Sequence, residues 1–87
     1  MASASETLAT MRGSIEARVR EQVERHLRIS PTSSIERIVE MQMKDERERL
    51  ERLIDAADED PTQAEMLVSL LGWLPELEHQ LRKRARR

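Results

Sequence analysis

The stretch that decides the fold runs from Met66 to Pro75 and reads Met-Leu-Val-Ser-Leu-Leu-Gly-Trp-Leu-Pro. It is the only dense apolar block in a chain of 87 residues of which 37% are charged, and it contains the single Trp. The flanking segments are amphipathic and need an apolar surface to pack against. We therefore expect this block to form the centre of the core.

Apolar residues elsewhere recur at gaps of three or four, the spacing of one helical face. In the first half of the chain this stripe is Leu8, Met11, Ile15, Val19, Val23 and Leu27. The pattern predicts helices over about 8–28, 34–57, 61–73 and 75–85, with residues 1–7 disordered. Pro75 separates the last two segments because proline inside a helix removes a hydrogen bond and clashes with the preceding turn, at about 3 kcal/mol.

The fold predicted from these segments is all-α. It is a small bundle of three helices in one domain over 1–87, with the last helix kinked or broken at Pro75, built on an antiparallel hairpin of the second and third helices. Two turn signatures support the boundaries. Ser33 with Glu36 makes an S-x-x-E capping box, and Asp60 precedes Pro61, which suits a first helical position, with Gln63 completing a second box.

Glu46 interrupts the apolar stripe of the second helix. It falls at a seam position between Met43 and Leu50, where a heptad rhythm calls for an apolar side chain. Two alternatives stay open: the seam is locally solvated there, or an arginine from another helix meets Glu46 across it.

A chain of this length buries only roughly 60–65% of the surface that its unfolded form exposes, and it contains no Phe or Tyr. Sharing the core with a second copy would compensate for a thin interior, so we expect a homodimer. Whether the first helix packs on its own chain or is exchanged with the second copy stays open.

Composition argues against several kinds of site. The chain has no cysteine, so it has neither disulfides nor thiolate metal sites, which favours a cytoplasmic protein. The acidic turn over 55–60 lacks the glycine and spaced oxygen ligands of a calcium loop. His26 and His79 have no catalytic partner at a defined spacing. We predict no enzyme activity, no cofactor, no metal and no membrane attachment.

Charge is strongly segregated near the C-terminus. Residues 55–78 contain seven acids and no Lys or Arg, whereas residues 79–87 contain five bases and no acid. The bases are candidate anion or nucleic-acid contacts: Arg82, Lys83, Arg84, Arg86 and Arg87. No aromatic residues interleave with them for base stacking, so a tail that complements the helix dipole is the favoured interpretation, and nucleic-acid binding is the weaker alternative.

The apolar block and its continuation form a patch larger than one short helix can hide. The patch is either bundle core or a partner surface, because Trp, Met and Leu on a helix are typical anchors. Its candidate partner-binding residues are Met66, Leu70, Trp73, Leu74 and Leu77. We predict a small regulatory or inhibitory protein that masks a larger partner; a nucleic-acid-associated protein and a purely structural coiled-coil component are the alternatives.

The segment Leu67–Pro75 resembles the Leu/Ile-rich, Ser, Leu-Gly-aromatic-aliphatic-Pro segment of the TraM-type quorum-sensing antiactivators. Those are small all-helical dimers that bind a LuxR-type transcription factor and keep it off DNA. The resemblance implies an antiparallel pairing of the second and third helices, with the apolar face near Trp73 engaging the target. This chain differs in continuing past Pro75 into another charged helical segment.

Overall fold

Three helices account for nearly all of the chain. The computed structural model describes residues 3–85, and within that range the elements are α1 (Ala4–Ile29), α2 (Ile35–Ala56) and α3 (Pro61–Ala85). The first half of α1 lies beside the end of α2 and the start of α3, and its second half lies beside the start of α2 and the end of α3. The bundle therefore runs up, down and up, and the all-α prediction with an antiparallel α2–α3 hairpin is confirmed.

The N-terminus of α1 is capped earlier than expected. Ser3 Oγ accepts a hydrogen bond from the backbone N–H of Glu6 at 3.2 Å, and the helix begins at Ala4 instead of near residue 8. Residues 4–7, expected to be disordered, are thus helical because the S-x-x-E signature at 3–6 satisfies an otherwise unpaired N–H. Met1 and Ala2 lie outside the described residues.

The two turns follow the expected places with one difference in chemistry. Asp60 Oδ1 accepts from the backbone N–H of Gln63 at 3.1 Å, so the predicted cap of α3 is confirmed. At the start of α2, Ser34 is the cap residue and its side chain makes no capping hydrogen bond. The cap of α2 therefore lies one residue later than the Ser33 predicted from the S-x-x-E pattern, and Ser33 belongs to the turn.

Pro75 does not break α3. The helix is continuous from Pro61 to Ala85 with Pro75 inside it, so the expected separate segments over 61–73 and 75–85 are one element. Leu74 and Leu77 on either side are 2% and 0% exposed, and keeping both in the core requires the helix to continue. Packing here outweighs the local cost of proline, whose own ring is on the exposed side.

The core is a single aliphatic cluster to which all three helices contribute. The Met66–Pro75 block lies at its centre, as predicted, and the contact of α2 with α3 is the most extensive of the three helix pairs. α1 packs on α2 and α3 of its own chain. The buried apolar residues are Ile15, Val19, Ile38, Val39, Met43, Leu50, Ala57, Leu67, Leu70, Leu74 and Leu77.

The bundle is elongated. It measures 45 × 24 × 18 Å, and its radius of gyration is 14.4 Å, compared with about 12 Å for a typical domain of this length. Its accessible surface is 6367 Å², compared with about 5,300 Å² for a typical folded monomer of this mass. The bundle is therefore rod-shaped and exposes more surface than a compact domain of the same mass. None of the described helices has the length and apolar character required to cross a bilayer.

Candidate functional site

Three of the five expected partner residues are core residues. Leu70 and Leu77 are fully buried and Leu74 is 2% exposed, so these side chains face α1 and α2 and are not available to a partner in the folded chain. Of the two alternatives for the apolar patch, core or partner surface, these three residues belong to the core in this structure. Met66 and Trp73 are only half-buried.

Trp73 is engaged by α1. The guanidinium carbon of Arg12 lies 5.8 Å from the centroid of the indole ring, within the range of a cation–π contact. The Nε of Arg12 is buried and has no hydrogen-bond partner in the part of the chain that the structure describes, so the ring is the feature that this cation faces. Trp73 therefore joins α1 to α3 and does not stand free as an anchor.

An apolar groove lies at the end of the bundle that holds the α1–α2 loop. It is a groove of about 380 Å³ between the end of α1, the start of α2 and the end of α3, here called the loop-end groove. It lies where Leu81, the last large apolar residue of α3, meets the last turns of α1. The apolar residues lining it are Val23, Leu27, Ile35, Val39 and Leu81.

The rim of the loop-end groove is mainly cationic. Arg20 and Arg84 line it together with one acid, Glu24. Arg20 Nη2 donates to Glu16 at 2.7 Å, as the i,i+4 pattern favours, and its Nε is buried without a partner among residues 3–85. Arg84 is exposed. An apolar floor beside two arginines suits an amphipathic ligand that carries negative charge at its edge.

A smaller groove of about 160 Å³ lies at the opposite half of α1. Its floor is made of core leucines, and its most accessible apolar side chain is Leu53, which is 38% exposed. Arg18 and Arg49 close one side of it. Both arginines bind Glu46, as described next, just as Arg20 of the loop-end groove binds Glu16.

Glu46 is the one buried charged residue in the described part of the chain, at 7% exposure. Arg18 of α1 meets it with two hydrogen bonds, Nε to Oε1 at 2.7 Å and Nη2 to Oε2 at 2.9 Å. Arg49 Nε adds a third at 3.3 Å. Of the two alternatives for the seam, an arginine across it is therefore the one found, and the seam is closed.

The electrostatics of Glu46 follow from these contacts. Burial by itself would raise the pKa of Glu46, but the hydrogen bonds and positive charges of Arg18 and Arg49 outweigh it, and the pKa lies below the ordinary value of 4.5. The carboxylate is thus ionised at neutral pH and joins α1 to α2. No sequence signal singled out Arg18, one of several arginines on α1.

The basic tail is only partly free. Arg82 Nη2 donates to Glu78 at 3.2 Å, whereas Lys83 and Arg84 are exposed. Arg86 and Arg87 lie outside the described residues. Of the two histidines, His79 is exposed and His26 is half-buried, with its Nδ1 2.8 Å from the Gln22 carbonyl oxygen. Within residues 3–85 no three His, Asp or Glu side chains converge in a way that could hold a metal ion.

Comparison with known proteins adds no relative: no protein-family profile matches the chain, and neither a curated protein nor a solved structure is significantly similar to it.

Proposed function

We propose that this chain is a non-enzymatic protein-interaction module that holds an amphipathic helix of a larger partner in the loop-end groove. The observation that carries the proposal is the groove itself, in which four partly exposed apolar side chains from three helices, Val23, Leu27, Ile35 and Leu81, lie above buried Val39 and beside two arginines. Grooves between helices are a common seat for amphipathic helices, whose apolar residues at i, i+3 or i+4 and i+7 enter as anchors.

The charge of the rim specifies the partner's chemistry. With Arg20 and Arg84 at the edge and Glu24 the only acid lining the groove, a helix with Asp or Glu beside its apolar face is favoured over one with Lys or Arg. Such a module would act by masking the bound helix, which is the regulatory or inhibitory role expected from the sequence.

The identity of the partner is a separate part of the proposal. The resemblance of Leu67–Pro75 to TraM-type antiactivators makes a LuxR-type transcription factor the first partner to test. A cytoplasmic setting, favoured by the cysteine-free composition, is also part of the proposal.

The test uses two fluorescent model helices that share Leu anchors and differ only in flanking Glu or Lys. Fluorescence anisotropy should show that the Glu-flanked peptide binds about tenfold more tightly, a difference of about 1.4 kcal/mol. Leu27→Asp should abolish binding and Arg84→Glu should reverse the preference. Met41→Asp is the matched control, because Met41 is 51% exposed and lies outside the groove.

Three outcomes would contradict the proposal: equal binding of both peptides, binding that survives Leu27→Asp, or loss of binding in the Met41→Asp control. A labelled DNA duplex in the same assay tests the alternative function. If the duplex binds more tightly than the Glu-flanked peptide, and deletion of residues 82–87 and added salt both remove that binding, the nucleic-acid interpretation replaces this one.

A further inference from the structure

α1 is the least firmly attached of the three helices. It is 26 residues long and contributes two residues to the buried core, Ile15 and Val19, whereas α2 and α3 contribute four each. Its contact with α3 is the smallest of the three helix pairs. A segment with few buried apolar side chains opens at a lower free-energy cost than the rest of a domain. α1 is therefore the helix that separates first from the α2–α3 hairpin.

The connection between α1 and α2 adds little to this attachment. Residues 28–34 are exposed, and Ile29 is 76% exposed. Within the described chain, residues 30–34 make one hydrogen bond among themselves, from the Ser33 N–H to the Ser30 carbonyl at 3.0 Å. Fully extended, these five residues span about 17 Å. Straightening the connection thus loses one hydrogen bond and uncovers no buried side chain.

The surface that α1 covers is specific for a helix of its pattern. Glu46 is buried on that surface, and without the two hydrogen bonds from Arg18 it would keep only the longer one from Arg49. Leaving a buried carboxylate short of partners is strongly unfavourable. A helix on this surface therefore needs apolar residues at the places of Ile15 and Val19 together with an arginine beside them, and a second copy of the chain supplies such a helix.

We propose that α1 is exchanged between two copies of the chain, so that each α2–α3 hairpin is covered by the α1 of the other copy. The exchange reforms every contact of α1 with a hairpin, which makes it a low-cost route to a dimer, and mass action favours it as the concentration rises. In the exchanged dimer each loop-end groove is lined by α1 of one copy and by α2 and α3 of the other. The groove forms with or without exchange, so the inference is independent of the proposed function.

Two variants that are mismatched on their own test the exchange. Arg18→Glu brings a second carboxylate to Glu46, and Glu46→Lys brings a third cation to Arg18 and Arg49. In a mixture of the two, exchange places the new glutamate of one copy on the new lysine of the other and restores the wild-type pair on the second hairpin. Native mass spectrometry should show a 1:1 heterodimer, more than about tenfold above the dimer in either variant alone, because like charges across an interface are strongly unfavourable.

The matched control inverts a charge pair that lies wholly on α1. Glu21 and Arg25 form an exposed i,i+4 pair, so exchange cannot separate its members. Mixing Glu21→Arg with Arg25→Glu should give no more dimer than either variant alone. A helical mixture of Arg18→Glu and Glu46→Lys without the heterodimer, or equal heterodimer in both mixtures, would overturn the exchange.

The length of the connection decides the case in which the charge variants do not fold. Deletion of residues 30–33 leaves one connecting residue, fewer than the two found in the shortest helix–helix connections, so α1 cannot turn back onto its own hairpin. Sedimentation equilibrium should show a helical dimer, whereas insertion of Gly-Ser-Gly-Ser after Thr32, the matched control, should favour the monomer. A shortened chain that is monomeric, whether helical or unfolded, would overturn the proposal.

Discussion

The two faces of α3 share one apolar segment and differ in what covers them. On the inner face Leu67, Leu70 and Leu77 are at most 2% exposed and pack against α1 and α2. On the outer face Val68 is 53% exposed, and Gly72 follows it one turn later. The comparison teaches that the inner face of the apolar block specifies the fold, whereas the outer face contributes little to the core of the chain.

The largest difference between the two faces is expected when one leucine on the inner face is truncated. Leu70→Ala should lower the free energy of unfolding by about 3–4 kcal/mol, because it removes a fully buried side chain and leaves a cavity. Val68→Ala on the outer face should change it by less than about 0.5 kcal/mol under conditions where the chain is monomeric. Urea titrations followed by circular dichroism compare the two variants, and equal losses would show that the faces are not distinct.

Replacing Pro75 should raise the stability of the chain, whereas truncating Leu70 should lower it. Pro75→Ala restores a backbone N–H inside a continuous helix, so we expect it to stabilise the chain by about 2 kcal/mol, somewhat less than the full helix penalty of proline because proline also restricts the unfolded chain. Glu76→Ala, exposed at the next position, is the matched control and should be nearly neutral. A destabilised Pro75→Ala would mean that the proline ring makes packing contacts.

Pro75 also shows how far local rules reach. Spacing alone predicted the three helices and the central block, because the 3.6-residue period is a property of the sequence. Local strain predicted a kink or a break at Pro75, and the helix does not break there because Leu74 and Leu77 are held in the core by residues distant in the chain. The same limitation affected the partner surface: whether Leu70 faces a core or a partner depends on where α1 packs, and no short-range pattern encodes that.

Glu46 and the loop-end groove mark two further limits. The heptad rhythm identified Glu46 as an unusual seam residue, but several arginines could have met it, and only the packing of α1 selects Arg18. The groove depends on where Leu81, the last large apolar residue of α3, lies relative to the end of α1, and such offsets become visible only after the helices are assembled. The cap at Ser3 had a sequence signal, the S-x-x-E motif at 3–6, which lies upstream of the apolar stripe.

Glu46 provides a polar counterpart to the inner leucines. Its pKa is held below 4.5 in the folded chain, so its contribution to stability is fully present above pH 4.5 and is lost as the pH falls through the lower, folded value. Glu46→Gln should lower the free energy of unfolding by about 1 kcal/mol at pH 7. The loss is small because Arg18 and Arg49 keep access to water and are not left buried without a partner. The difference in free energy of unfolding between Glu46→Gln and the wild type should shrink as the pH falls.

Glu48→Gln is the control for that measurement, because Glu48 is exposed on the same helix and its removal should leave the pH profile of the wild type unchanged. Denaturation midpoints between pH 7 and pH 3 give the comparison. A Glu46→Gln profile parallel to that of the wild type over the whole range would show that the buried carboxylate does not couple folding to protonation.

The smallest effect concerns the edge between the two faces, where Trp73 meets Arg12. The cation lies 5.8 Å from the ring centroid, and a contact of this kind at a partly exposed site contributes about 0.5–1 kcal/mol. Arg12→Met keeps the aliphatic stem over the ring and removes the charge, so we expect a loss of about 0.5 kcal/mol and a change in the emission of the single Trp, with the helix content preserved. Ala17→Met, an exposed position on the same helix, should alter neither. An unchanged Trp spectrum in Arg12→Met would mean that α1 does not hold the indole, and Trp73 would then return to the outer face as a candidate anchor for partners.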